Sequence, residues 1–228
     1  PEAGTLALLT AAAVSAGSQR ILGIRYRHSC KKRFGNRVSK QVLHQLYAEE
    51  NPANPCGTAL TAIIAIRGRQ RQKVSTVPDA KEIRSMVEEQ TRTAEFLQSR
   101  GASILGTDGE ILFAAFNSPL WTMQDPAQKA VETMLILSRT EKYKTSGFHA
   151  GVDIGPCVFD YHPLQGYTAY GKALIYARLL SALAPSYNSE LLISASVYSV
   201  LTEQGPWLKK DCLVDKETGE EQVFYSCS

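Results

Sequence analysis

The sequence predicts an α+β sandwich with a helical extension at its N-terminal end, and three observations carry that expectation. One segment is β-branched and apolar almost without interruption, as a strand buried on both faces must be. Two further apolar runs flank an Asp-Gly pair, the signal of a β-hairpin. Segments with apolar residues at helical spacing separate these strands from later ones. The elements therefore fall in the order β-α-β-β-α-β with additions, a ferredoxin-like arrangement.

Each element has a local reason. Thr58 to Ile66, TALTAIIAI, is the buried strand. Ala80 to Arg100 puts Ile83, Val87, Ala94 and Leu97 on one helical face and meets a stop at Gly101. Ala102 to Leu105 and Ile111 to Phe116 are the hairpin strands, with Gly106-Thr107-Asp108-Gly109-Glu110 between them. Asp125-Pro126 offers an N-cap and a first-turn proline to a helix that runs to Ser138, with Ala127, Val131, Met134 and Leu135 inward. Phe148 to Phe159 is a strand region broken at Gly155-Pro156, and Tyr161 to Tyr167 is a loop packed by its tyrosines. Gly171 to Ala184 is helical, Leu191 to Ser194 a strand, Ala195 to Thr202 a short helix, and Gln222 to Cys227 an alternating closing strand.

The organisation upstream follows from charge and apolarity. At 228 residues, 44% hydrophobic and 21% charged, the chain can bury one substantial core and carry an appendage. Residues 1–30 read as the end of an apolar helix with a basic flank, 31–56 as an amphipathic linker helix, and 57–228 as the folded domain. Gly4 to Gly17 is uncharged but shorter than the roughly 20 residues a membrane span needs. The chain begins with Pro1, so this stretch is expected to be the remainder of a longer transmembrane helix. Arg20, Arg25, Arg27, Lys31, Lys32, Arg33, Arg37 and Lys40 follow with no Asp or Glu among them, as the positive-inside rule predicts for a cytoplasmic flank. The expected location is the cytoplasmic face of a membrane. The basic run interleaves only two aromatics, Tyr26 and Phe34, too few for a base-stacking platform, so nucleic acid is not expected as a partner. Phe34 to Leu46 places Val38, Val42, Leu43 and Leu46 at helical spacing with Ser39 as a cap, and the breakers of Asn51 to Gly57 end it.

Other chemistry is sparse. The cysteines, Cys30, Cys56, Cys157, Cys212 and Cys227, are odd in number and scattered, so reduced, buried thiols are expected. His28, His44, His149 and His162 have no metal or triad spacing, and Ser29, Ser39 and Ser118 lack a nucleophile elbow. No phosphate-cradling glycine loop is present.

Five strings in order resemble the catalytic domains of class III adenylyl/guanylyl (nucleotidyl) cyclases. Ile63-Ile64-Ala65-Ile66-Arg67-Gly68 is similar to that family's F-A-D-I-R-G-F strand, and Gly106 to Phe116 to its K-x-x-G-D-x-x-x-A-x-F hairpin. Gly151 to Val158 resembles G-I-H-x-G-x-V, and Tyr167 to Leu180 resembles Y-T-V-I-G-D-x-V-N-x-A-A-R-L. Phe34 to Leu46 is similar to the F-G-x-Y-V-S-x-x-V segment of membrane-anchored bacterial members.

The resemblance implies a site between two antiparallel protomers, where two Asp residues hold two divalent metals for a phosphoryl transfer. It also implies that most of that machinery is missing here. The first metal Asp falls on Ala65, with Ile66 following it. The second falls on Glu110 when the hairpin is counted back from Phe116, or on Asp108 when the turn is matched. Gly106 stands for the base-reading Lys, Ile175 for the ribose Asn and Leu179 for the phosphate Arg. Thr168 matches a base-contacting Thr. Arg178 sits one residue early, about 100° around a helix. A one-residue gap would restore it at the expense of the following Leu-x-x-Leu match.

The implied function is a degenerate, noncatalytic cyclase-like module for dimerisation, signal relay or ligand binding. It would need no cofactor, and its partner would be a second copy or another cyclase-like domain, with the membrane reached through the N-terminal segment. Residual nucleotide contacts would come from Ile66, Thr168 and Arg178, and residual metal ligands from Asp108 and Glu110. The alternative is an active cyclase, with Mg2+ or Mn2+, that makes cAMP or cGMP alone or with a partner. A diguanylate-type cyclase, suggested by Gly106 to Glu110, fits the later strings less well.

Overall fold

The computed structural model describes residues 23–48, 56–68, 79–140, 147–162, 165–202, 205–214 and 219–227. It contains one eight-stranded mixed sheet with helices on both faces. The elements are α1 (23–34), α2 (Lys40–Ala48), β1 (Gly57–Gly68), α3 (Ala80–Ser99), β2 (Ser103–Asp108), β3 (Ile111–Phe116) and α4 (Pro126–Arg139). They continue with β4 (Phe148–His162), β5 (Gly166–Tyr170), α5 (Lys172–Leu183), β6 (Leu191–Ser194), α6 (Ala195–Val200), β7 (Trp207–Val214) and β8 (Glu221–Cys227). The strand order is β2-β3-β1-β4-β6-β8-β7, with β5 paired to β4. The α+β sandwich with its β-α-β-β-α-β kernel is therefore observed.

Alternation along the central strands builds two cores. Ala62, Ile64 and Ile66 of β1, with Ala150 and Val152 of β4, face α3, α4 and α6 through Leu97, Ala130, Met134 and Val197. Ile63 and Ala65 point the other way, into a core closed by Phe34, Val38, Val42 and Leu46 of the N-terminal segment and by Ala173 and Ala177 of α5. The period-two rule explains the split, since neighbours along a strand serve opposite layers. The basic flank and the linker thus lie on the sheet as part of its packing.

Several expectations are corrected. The helix expected from Phe34 to Leu46 is divided: α1 ends at residue 34, a turn follows, and Ser39 caps α2, its Oγ accepting from the Val42 amide at 3.3 Å. β4 passes through Gly155-Pro156 unbroken. Pro156 lies after β6 pairing ends at Val152 and before β5 pairing begins at Val158, so no second neighbour needs its missing N–H. In α3 only the last turns reach the core, through Thr93, Ala94 and Leu97, and Ile83 and Val87 are exposed. Asp125 makes no side-chain cap and is left-handed at φ 49°. The hairpin loop is Gly109-Glu110, with Gly109 at φ 58°, which leaves Asp108 at the end of β2 rather than in the turn. Tyr161 to Tyr167 is mostly a β4–β5 hairpin, and Tyr167 is fully buried, stacked on Phe159 at 5.6 Å.

All five cysteines are free thiols, but Cys56, Cys212 and Cys227 are only half-buried. Among the described residues no helix is long and apolar enough to cross a membrane. Gly4 to Gly17 and Asn51 to Pro55 lie outside the described residues.

Candidate functional site

The hairpin tip and the outer face of α5 meet at one ion pair. Arg178 Nη2 lies 2.8 Å from Asp108 Oδ2, with both side chains about half exposed (53% and 57%). Asp108 is delivered by the last position of β2, held in register by pairing with Ile111. Arg178 is delivered by α5, which is pinned to the sheet by a close crossing at Gly151. A Cβ there would stand 2.2 Å from the Ala177 carbonyl oxygen and 2.6 Å from Leu180 Cβ, so only glycine admits the helix. Ile175 and Leu179 share the outward side of α5 at 57% and 43% exposure. They do not line a common pocket with Ala65.

Ala65 has no exposed surface and sits in the second core, between Phe113 of β3 and Gly151 of β4 in the sheet. Ile66 points to the opposite layer. Thr168 is on β5, opposite Asp160, and faces away from the layer that holds Tyr167 and Ala169. The structure therefore brings Asp108 and Arg178 together and leaves Ala65, Ile66 and Thr168 apart from them. Glu110 is exposed on the turn.

Sequence reasoning missed Arg37. This residue comes from the turn after α1, and its guanidinium lies against Gly106. A Cβ at Gly106 would be 3.0 Å from Arg37 Nη1. Nη2 donates to the Gln165 carbonyl at 2.5 Å. Burial pulls the Arg37 pKa down from the usual guanidinium range. Gly35-Asn36, two turn formers after a helical run, was the available signal, but nothing local marks where the side chain goes.

A buried acid was also missed. Asp153 of β4 is 5% exposed, and its Oδ1 accepts from Ser194 Oγ at 2.5 Å. The same hydroxyl caps α6 by accepting from the Val197 amide. Burial raises the Asp153 pKa, and the bonds from Ser194 and the Ile154 amide oppose that shift. Burial, and then the Asp153 charge, push the Cys157 thiol up to about 11, which makes it a poor nucleophile at neutral pH.

No family model and no curated protein matches this sequence. Solved structures do match. The adenylyl cyclase CyaB from P. aeruginosa superposes with a TM-score of 0.61 at 14% identity, over 76% of this chain and 95% of that one. A bacterial light-regulated adenylyl cyclase superposes with a TM-score of 0.62 at 15% identity, over 96% of this chain and 62% of that one. The dimeric guanylyl cyclase domain of the RhoGC fusion protein from the aquatic fungus Blastocladiella emersonii gives 0.51 at 14% identity, over 75% and 97%.

The chain has the fold of an adenylyl/guanylyl cyclase catalytic domain. At such identities the likeness is one of fold. The residues present do not fit the two-metal centre that the sequence resemblance implies. Ala65 offers no oxygen, and Asp108 is already neutralised by Arg178. Among the described residues no three His, Cys, Asp or Glu side chains gather as a ligand set.

Proposed function

We propose that this chain is a noncatalytic cyclase-like domain that dimerises and relays a signal arriving from its N-terminal side. One observation carries the reading: Ala65, where the resemblance implies the first metal carboxylate, is sealed in a core that the N-terminal helices themselves close. Supporting it, Asp108 is held in an in-chain pair with Arg178. Losing one group that stabilises transition-state charge typically costs about 10²–10³ in rate, and here Ile175 and Leu179 replace two more polar groups.

The relay follows from packing. Phe34, Val38, Val42 and Leu46 lie in the same core as Ile63, Phe113 and Tyr167, so displacement of α1–α2 is felt by the sheet directly. The dimer surface is the outer arm of β1, β4 and β5. Leu60, Val158 and Tyr170 fall on one face there, beyond the cover of α3 and α4, at 58%, 52% and 49% exposure. A second copy or another cyclase-like domain would cover it. In this reading the basic run lies at the cytoplasmic face of a membrane, reached through the N-terminal segment.

The test is cyclic nucleotide formation by the purified chain with ATP or GTP and Mn2+, followed by mass spectrometry, on protein shown to be folded. No product is expected. Product that disappears in Asp108→Ala or Glu110→Ala would instead establish the working-cyclase reading, which the half-exposed Arg178 and the retained Thr168 favour.

A further inference from the structure

We propose that the cavity between α1, the turn after it and the β4–β5 hairpin binds a phosphate-type anion. The cavity has a volume of about 270 Å³ and is lined by Lys31, Lys32, Arg33, Arg37, Tyr161 and Gln165, with Asn36 and Gly166 completing it. This is a little below the roughly 300–1,000 Å³ of small-molecule sites, and it is open to solvent. Four of its side chains are cationic and none is a carboxylate.

The arrangement holds these cations in place without pairing them. Among the described residues none of the four makes a salt bridge. Arg33 is held over the Tyr161 ring at 5.4 Å, which fixes it at the rim. Arg37 is fixed more firmly. Its main-chain oxygen accepts from the Ile104 amide at 2.6 Å, and its Nη2 donates to Gln165. Its Nη1, buried against Gly106, has no hydrogen-bond partner. A buried donor left unmade is costly, and more so on a charged group. The two glycines flanking the guanidinium are what admit it: at Gly166 a Cβ would stand 3.3 Å from Nη2. Burial without a carboxylate also depresses its basicity. The hairpin's own acid, Asp160, is engaged elsewhere, accepting from Cys56 Sγ at 3.1 Å and from the Tyr161 amide at 2.6 Å.

An ordinary solvated basic helix face would leave its long side chains separate and hydrated. Here a loop and a hairpin converge on one cation and a ring orients a second. A phosphoryl group is the anion whose several oxygens suit the guanidinium of Arg33 and the charge of Arg37 beside two ammonium groups. Such a group arrives either on a soluble molecule or on a lipid headgroup. The site stands whether or not the domain turns over nucleotide.

The experiment titrates the full chain with inorganic phosphate and with pyrophosphate at fixed ionic strength by calorimetry. In parallel it measures cosedimentation with phosphatidylcholine vesicles that contain or lack phosphatidylglycerol. The variants are Arg37→Gln and, against the chance that this one misfolds, the exposed pair Lys31→Gln/Lys32→Gln, each checked by circular dichroism. Saturable binding is expected, weakened about tenfold or more by Arg37→Gln, the scale of one charge-assisted bond, and by a smaller factor in the lysine pair. Variant-sensitive binding of the soluble anions identifies a free anion as the ligand. Variant-sensitive binding of phosphatidylglycerol vesicles alone identifies the headgroup. Absence of saturable binding by every probe, or binding equal in all folded variants, overturns the proposal.

Discussion

Ala65 shows what a single side chain decides. The position is enclosed by β3, β4 and the N-terminal helices, so restoring an acid there would put a carboxylate where nothing stands ready to pair with it. Ala65→Asp is expected to cost about 3–5 kcal/mol, the scale of an uncompensated buried charge, in urea denaturation, and to yield no cyclic nucleotide. A stable variant that turns over ATP or GTP would contradict the noncatalytic reading. Asp153 makes a pH-dependent prediction. Burial raises its folded pKa above the unfolded value near about 3.9, so the folded protein holds the proton more tightly. Its contribution to stability is fully present below that unfolded value and is lost as pH rises through the folded one. Asp153→Asn keeps an acceptor for Ser194 and removes the charge, so its melting temperature should gain on the parent's as pH rises from 4 to 7. A difference independent of pH would show that Asp153 titrates as it does in the unfolded chain. Ala65, Gly106, Ile175 and Leu179 could be singled out in the sequence because each sits inside an ordered string that resembles the family's. Asp153 and Arg37 were not, because what sets them apart is burial and a neighbour 41 or 128 residues away.

At the level of elements, helices announced themselves where one face is continuously apolar and the ends are punctuated. α4, α5 and the strand β6 fall close to their expected limits for that reason. β7, WLKKDCLV, gave no such signal: it is an edge strand, mostly exposed and bulged between Lys209 and Asp211, so no alternation survives in it. β5 was hidden by its shortness and by the turn-like residues before it. Ile83 and Val87 misled in the other direction, since periodicity records which face is apolar and not whether a sheet lies beneath it. The crossing of α5 over β4 is the element contact with least tolerance. The Cβ of Gly151→Ala would meet helix backbone, the Ala177 oxygen and the Ser181 amide, rather than a side chain that could swing away. The expected loss is about 1–3 kcal/mol or more, read from the urea midpoint at unchanged slope. An unchanged midpoint would mean that α5 rides free of the sheet.

For the molecule as a whole, assembly is the property that the exposed arm of β1, β4 and β5 governs. Leu60→Asp together with Val158→Asp places two charges on that face without touching either core. Sedimentation velocity should show the parent as a dimer and the variant as a monomer with the same circular dichroism. An oligomeric state unchanged by the substitutions would move the interface elsewhere. Among the described residues the main strand order ends at β2 and β7, and β5 forms a further, short edge beside β4. β7 protects its own with Lys209, Lys210 and a bulge. β2 borrows its protection: the Arg37 carbonyl takes up the Ile104 amide, so the turn after α1 occupies part of the row of groups that a foreign strand would need. The segment that touches the sheet's face therefore also guards its rim, and a chain trimmed of residues before Lys40 is expected to gain cross-β self-association, read as thioflavin T fluorescence that the parent lacks.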